Sequence, residues 1–176
     1  MQPPLCPSLQ SIPKVHPEAF VAPGAVLLGE VTVAAKASIW YGAILRADLL
    51  PISIGAGSNL QDGVIVHLAS DRGTVVGEYV TVGHRALLHA CTIEDEVLIG
   101  MGAIVMDGAV IGRRSIVAAG ALVPKGMIVP PGSLVLGTPA KIVRTLTEVE
   151  QEELRGWAEK YIAVAAEHRA YAAQGA

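Results

Sequence analysis

Residues 93–134 read IEDEVL IGMGAI VMDGAV IGRRSI VAAGAL VPKGMI VPPGSL, seven sixes in an unbroken frame, each opening on Ile or Val. Followed backwards, the frame runs to Val15, with three extra residues after Leu50, four after Asp71 and one missing at Leu88–Thr92. Followed forwards, it closes with VLGTPA at Ala140. All twenty sixes open on Val, Ile or Leu; the fifth place is usually Ala, Ser, Thr or Val, and the second is often Gly. A period of six fits neither the 3.6 residues of a helical turn nor the two-residue alternation of a long strand. It fits short strands that each end in a turn and stack as a solenoid. The aliphatic heads point inward, the small fifth residue sits where the chain bends, and the second-place Gly is expected to relieve the turn. Three sixes per coil make a triangular prism, and twenty sixes predict about six to seven coils.

Composition agrees with a narrow, repetitive interior. The chain has 176 residues, 52% of them hydrophobic, yet only 4% are aromatic. Charged residues make up 16%, well below the usual quarter, so further surface is expected to be covered in an oligomer. A net charge of −3 without a basic block gives no footprint for nucleic acid. No apolar run reaches the length of a membrane span, and the opening MQPPLCPSLQ lacks the charged and apolar regions of a signal peptide. Cys6 and Cys91 build neither a disulfide framework nor a cysteine zinc site and read as free thiols of a reducing cytoplasm. The expected organisation is an N-terminal extension over 1–14, a β-solenoid over 15–144 and a C-terminal α-helix over 145–176. Thr147 opens a Thr-x-x-Glu capping box. Leu154, Trp157, Tyr161, Val164, His168 and Tyr171 follow at spacings of three and four, one stripe of a helix. His168 on that stripe reads as a packing or hydrogen-bonding residue, and His16 as surface.

Counting heads by threes assigns every six to a face. On the third face the residue after each head is Arg46, then His67, then His89, one column with neighbours about 4.8 Å apart. On the second face the residue two after each head is Tyr41, then Asp62, then His84, then Met101. His67 and His89 are thus close enough to share a metal at the roughly 2.0–2.1 Å of a zinc–nitrogen bond. His84 belongs to another face. If two prisms pack side by side, the third face of one meets the second face of the next, and His84 of the neighbour completes a three-histidine site in a threefold ring. Three neutral imidazoles leave one position for water, as in a catalytic zinc centre. The same construction sets Arg46 opposite Asp62 across the interface, with Asp48 nearby to hold the guanidinium.

These residues resemble the γ-class carbonic anhydrase family of the hexapeptide-repeat superfamily, whose members fold as a left-handed parallel β-helix. The specific stretch is RADLLPISIGAGSNLQDGVIVH followed by VGHRALLH, which carries Arg46, Asp48, Asn59, Gln61, Asp62, His67, His84 and His89. The resemblance implies a homotrimer in which two histidines of one subunit and one of the next hold zinc, or iron or cobalt. It implies CO2 as substrate and bicarbonate as product, formed by a zinc-activated hydroxide. It also implies that Gln61 positions the water and that Arg46, Asp48, Asn59 and Asp62 organise the pocket and interface. Two departures stand out. The acidic loop that follows the first histidine in archetypal members is reduced to LASDRG, and Leu49 stands where a second glutamate would be. In the family a glutamate of that loop shuttles protons, so the resemblance implies a metal site whose turnover is limited by loss of the shuttle. Two rival readings remain. One is an acyl-CoA thioesterase or acyltransferase, to which GTPAK at 137–141 is similar; the other is a non-catalytic trimeric scaffold.

Overall fold

Ile39, Leu45, Leu60, Val66, Val82, Leu88, Ile99 and Val105 are all fully buried, as heads pointing down the axis of a prism must be. Each such side chain removed from water contributes about 1.5–3 kcal/mol. A computed structural model, which describes residues 5–172, shows the chain as a left-handed parallel β-helix of about seven turns with one C-terminal helix. Eight strands form the ladder of the second face, ending in an antiparallel hairpin of Ser133–Gly137 with Ala140–Thr145. Eleven strands form the other ladder, which wraps both remaining faces because Val26–Val33 and Ile44–Ile54 run around the corner between them.

The corners correct one expectation. The turn lies at the fourth place of the six, where the backbone is left-handed: Lys36, Tyr79, Arg85, Glu96 and Arg114 all have φ between 52° and 60°. The second-place glycines do a different job. A Cβ on Gly100 would stand 2.3 Å from the Ala119 backbone nitrogen of the next coil, whereas a Cβ on fourth-place Gly102 (φ +65°) would meet nothing within 4 Å. Glycine at the second place therefore makes room for the neighbouring coil rather than for the bend. Gly100→Ala is expected to lower stability by about 3 kcal/mol, an overpacking cost that a fixed backbone cannot relax. Gly102→Ala should cost only about 1 kcal/mol of left-handed backbone strain. Urea unfolding of the two variants checks the ranking, and equal losses would contradict it.

The two insertions in the frame are absorbed locally. Leu27–Gly29 align with Leu45–Ala47 and Val31–Val33 with Ile52–Ile54, so the four residues 48–51 bulge opposite Glu30 alone. The N-terminal segment fastens that bulge, with the Ser8 amide donating to the Asp48 carbonyl at 3.0 Å. The extra residues near 70 close as a tight loop through an antiparallel bridge between Ala69 and Arg72. Residues 1–4 of the expected extension and 173–176 of the expected helix lie outside the described residues.

The helix runs Glu148–Ala172. The Thr147 amide donates to the Glu150 carboxylate at 2.8 Å, and the Glu150 amide donates to the Thr147 hydroxyl at 3.3 Å, a reciprocal cap. Arg144 forks onto the same carboxylate, its nitrogens at 2.6 and 2.7 Å. First the Arg144 bonds, then the Thr147 amide, hold the Glu150 carboxyl at about 2 against an ordinary 4.5. A depressed folded value means that this contribution to stability is present above the ordinary value and is lost as pH falls from there through about 2. A carboxyl NMR titration should find Glu150 near 2 in the wild type and well above it in Arg144→Ala; an unmoved midpoint would contradict the cap.

The helix seam also differs from the expected stripe. Its buried residues are Leu154, Ala158 and Ala165, while Trp157 is 50% and Tyr171 64% exposed. Ala165 lies against Phe20, Ala22 and Trp40 of the second face with Tyr161 and Val164 packed beside it, so the stripe holds there and only Trp157 and Tyr171 fall at its edge. His168 packs edge-on to Trp40 at 5.0 Å and bonds the Tyr41 hydroxyl at 2.9 Å. Among the described residues, no helix is long and apolar enough to cross a membrane.

Candidate metal centre

Parallel pairing sets His67 directly beside His89, and Leu45 beside Val66, so Arg46 precedes His67 in the same column. The two imidazole rings lie 5.2 Å apart. Each ring has a carboxylate on its far side. His67 Nε2 is 3.2 Å from Asp48 Oδ1, and His89 Nδ1 is bonded to Asp107 Oδ1. A carboxylate only accepts, so each neutral ring places its N–H toward its carboxylate. The remaining nitrogens, His67 Nδ1 and His89 Nε2, then turn lone pairs toward each other at 3.2 Å. Two facing lone pairs suit a cation between them. Two nitrogens bound tetrahedrally at 2.0–2.1 Å are separated by about 3.3 Å, so this pair fits two ligands of one zinc.

Asp48 is the hub of the third face. It is 7% exposed, sits in the bulge, and also accepts a bond from Arg46. Burial works to raise its carboxyl, but the bonds from Arg46 and His67 prevail and hold it below the ordinary carboxylate value. Burial pushes the His67 imidazole down; the Asp48 bond opposes this, and the Arg46 charge adds to it. Both directions favour a neutral, ligand-ready imidazole beside an ionised carboxylate. The Asp107 carboxyl is likewise lowered, first by its bond with His89.

The second face carries the other predicted residues. Asn59 and Gln61 are buried and linked, Gln61 Nε2 donating to Asn59 Oδ1 at 3.2 Å and Asn59 Nδ2 donating to the Thr81 hydroxyl at 3.0 Å. One coil apart, Asp62 Oδ2 and His84 Nδ1 are 2.9 Å from each other, both about half exposed. Gln61, His84, Leu98, Met101, Trp157 and Tyr161 line an apolar groove of about 350 Å³ between the prism and the helix. Within one chain His84 does not join His67 and His89: among the described residues no three His, Cys, Asp or Glu side chains converge to hold a metal. Nor do Arg46 and Asp62 meet within one chain; each is paired with its own neighbour, Asp48 and His84.

Two features escaped the sequence. Extending the third-face column one coil past His89 gives Met106, so Asp107, one residue further, was not readable from the column, and the fastening of Asp48 by Ser8 has no sequence signal. Cys91 is buried beside the column, and burial pushes its thiol up to about 12, so it stands as an inert packing residue.

Residues 90–125 match the family model for the bacterial transferase hexapeptide (six repeats). The chain is 50% identical over 142 residues to a probable carbonic anhydrase of Methanocaldococcus jannaschii, covering 81% of this chain and 89% of that protein. It is 43% identical over 164 residues to the mitochondrial γ carbonic anhydrase 1 of Arabidopsis thaliana, covering 90% of this chain but about 60% of that protein's length. Among solved structures, a hexapeptide transferase family protein from Anaplasma phagocytophilum superposes with a TM-score of 0.85 at 45% identity, covering 88% of this chain and 92% of that one. The chain belongs to the hexapeptide-repeat family of γ-class carbonic anhydrase homologues.

Proposed function

We propose that this chain is a γ-type carbonic anhydrase-like metalloenzyme, a cytoplasmic homotrimer that hydrates CO2 to bicarbonate with zinc, iron or cobalt held between subunits. The observation that carries the reading is the His67–His89 pair, each ring oriented by its own carboxylate and the free nitrogens 3.2 Å apart. A third ligand from another face of the solenoid, His84, requires a second copy of the chain. A divalent metal in such a site would supply Lewis acidity, lowering the pKa of a water toward 7. The chain's own residues do the rest. Asp48 and Asp107 orient the two rings, and Asp48 restrains the Arg46 guanidinium. Gln61, fixed through Asn59, presents its amide to the groove beside His84, where it can orient a water. The apolar lining of that groove suits a small nonpolar gas. Proton export is the weak link: the loop at 69–72 is short, its Asp71 is solvent-exposed, and Leu49 carries no acid.

A second reading, acyl transfer or thioester hydrolysis, draws on the likeness to a hexapeptide transferase family protein. Such chemistry needs one base histidine and does not account for a metal-shaped histidine pair braced by two carboxylates. Stopped-flow CO2 hydration on metal-loaded protein, run beside acyl-CoA hydrolysis, separates the two. Hydration that rises with metal content and vanishes in His67→Ala supports the anhydrase; thioester hydrolysis that survives complete chelation overturns it.

A further inference from the structure

The recess on the far side of His89 lies between the short 69–72 loop and the coil that follows His89, and its Asp107 belongs to neither the histidine columns nor the family motif. Leu87 and Leu88 pair with Ile104 and Val105, and the Gly108 amide donates to the Ala90 carbonyl at 2.7 Å. The turn after Val105 is therefore locked to the strand that carries His89, and Asp107 Oδ1 reaches the His89 Nδ1. The third place of a six holds aspartate at two other positions: Asp95 accepts the Glu78 amide of the preceding coil's turn at 2.8 Å, and Asp62 pairs with His84. The Asp107 carboxylate bonds the His89 imidazole. Behind it lies a recess of about 480 Å³ bounded by the 69–72 loop and Lys125. Arg72 closes its rim, its guanidinium so near Gly108 that a Cβ there would stand 2.5 Å from Nη1. Two cations thus flank a carboxylate whose hydrogen-bond partner is a candidate ligand.

We propose that Asp107 is a positioning residue of the metal centre: by accepting the Nδ1 proton of His89 it fixes the tautomer and ring orientation in which Nε2 is offered as a ligand. The proposal rests on the metal-centre reading above. An imidazole with no partner on one nitrogen is free to exchange tautomers and to turn about its χ2; a carboxylate on Nδ1 removes both freedoms. Asp48 plays the corresponding part for His67 from the opposite side of the column, so the two rings are braced outward and their lone pairs converge.

The test uses the full chain with Asp107→Ala and Asp107→Asn, in two arms. In the first, zinc affinity is measured by chelator competition, with melting temperature and sedimentation as controls. Asp107→Ala should lose about 10–100-fold in zinc affinity without a change in assembly or melting. Asp107→Asn, whose amide oxygen still accepts, should recover part of that loss. In the second arm, long-range 1H–15N spectra of the metal-free protein report the His89 tautomer. Wild type and Asp107→Asn should show Nδ1–H, and Asp107→Ala a mixture. Wild-type zinc affinity in Asp107→Ala, or an unchanged His89 tautomer, overturns the proposal. A wild-type protein that binds no zinc overturns the metal reading, while the tautomer arm still decides whether Asp107 positions the ring.

Discussion

Replacing His84 with alanine is expected to strip metal from the protein as thoroughly as replacing His67 or His89. Within a single chain this result would be unreasonable. His67 and His89 are neighbours at 3.2 Å, whereas His84 sits on another face, paired with Asp62 at 2.9 Å and facing the groove by the helix. Equal loss follows only if His84 serves the pair on an adjacent copy. A metal held by two imidazoles retains little of the affinity of one held by three, so the loss should exceed the about 10–100-fold typical of removing a ligand's hydrogen-bond partner. Metal content per chain by elemental analysis, after dialysis against a weak chelator, measures it. Full metal retention in His84→Ala, with loss confined to His67→Ala and His89→Ala, would mean that His84 is only the Asp62 partner seen within the chain.

The second large effect is expected at Arg46 and Asp62. Each side chain is nearly half exposed in the single chain, 47% and 45%, and each already has a partner of its own. Packing the third face of one prism on the second face of the next brings the two columns together and removes water from both charges. A charged group left without its partner in such an interface costs on the order of 3–5 kcal/mol. Arg46→Ala or Asp62→Ala should therefore dissociate or strongly destabilise the trimer, repeated as the contact is at each interface, and metal should leave with it. An exposed pair that stays in water would cost well under about 1 kcal/mol. Sedimentation at micromolar concentration distinguishes the cases: an intact, metal-loaded trimer with unchanged melting contradicts the interface. Asp48→Ala adds a control, because Asp48 is buried and joins Arg46 to His67 in the same chain. Its loss should weaken metal binding even where the trimer persists.

The solenoid was legible because its rule is simple and repeated: a buried aliphatic head every six residues leaves no other period that keeps Ile39, Leu60, Val82 and Ile99 on one inner ladder. The same counting placed His67 beside His89, since parallel register carries a column intact from coil to coil even across the loop at 69–72. What counting could not supply was anything set by where the backbone bends. Asp48 lies near His67 because four residues bulge opposite Glu30, and the frame records those only as extra letters. Glycine at the second place was assigned to the turn because its letter suggests it; its real reason, the backbone of the next coil 2.3 Å from a Cβ on Gly100, appears only when coils are stacked. The helix stripe holds at Leu154, Tyr161, Val164 and His168, whereas Trp157 and Tyr171 lie exposed and Ala158 and Ala165 share the seam, because small residues let the helix approach the prism. Asp107 stands one place past the column, where counting gives Met106, and reaches His89 only because the turn after Val105 brings it back.

The central claim, that the metal site is built from two faces belonging to two chains, is tested most directly by subunit complementation. Chains carrying His67→Ala and chains carrying His84→Ala are each expected to bind no metal alone. After the two are mixed in equal amounts, unfolded and refolded together, an interface holds an intact third face with probability one half and an intact second face with probability one half. About one site in four should then regain metal. Recovery near that level, together with CO2 hydration in proportion, is the predicted result. No recovery of metal in trimers shown by mass to contain both chains would contradict a site shared between subunits.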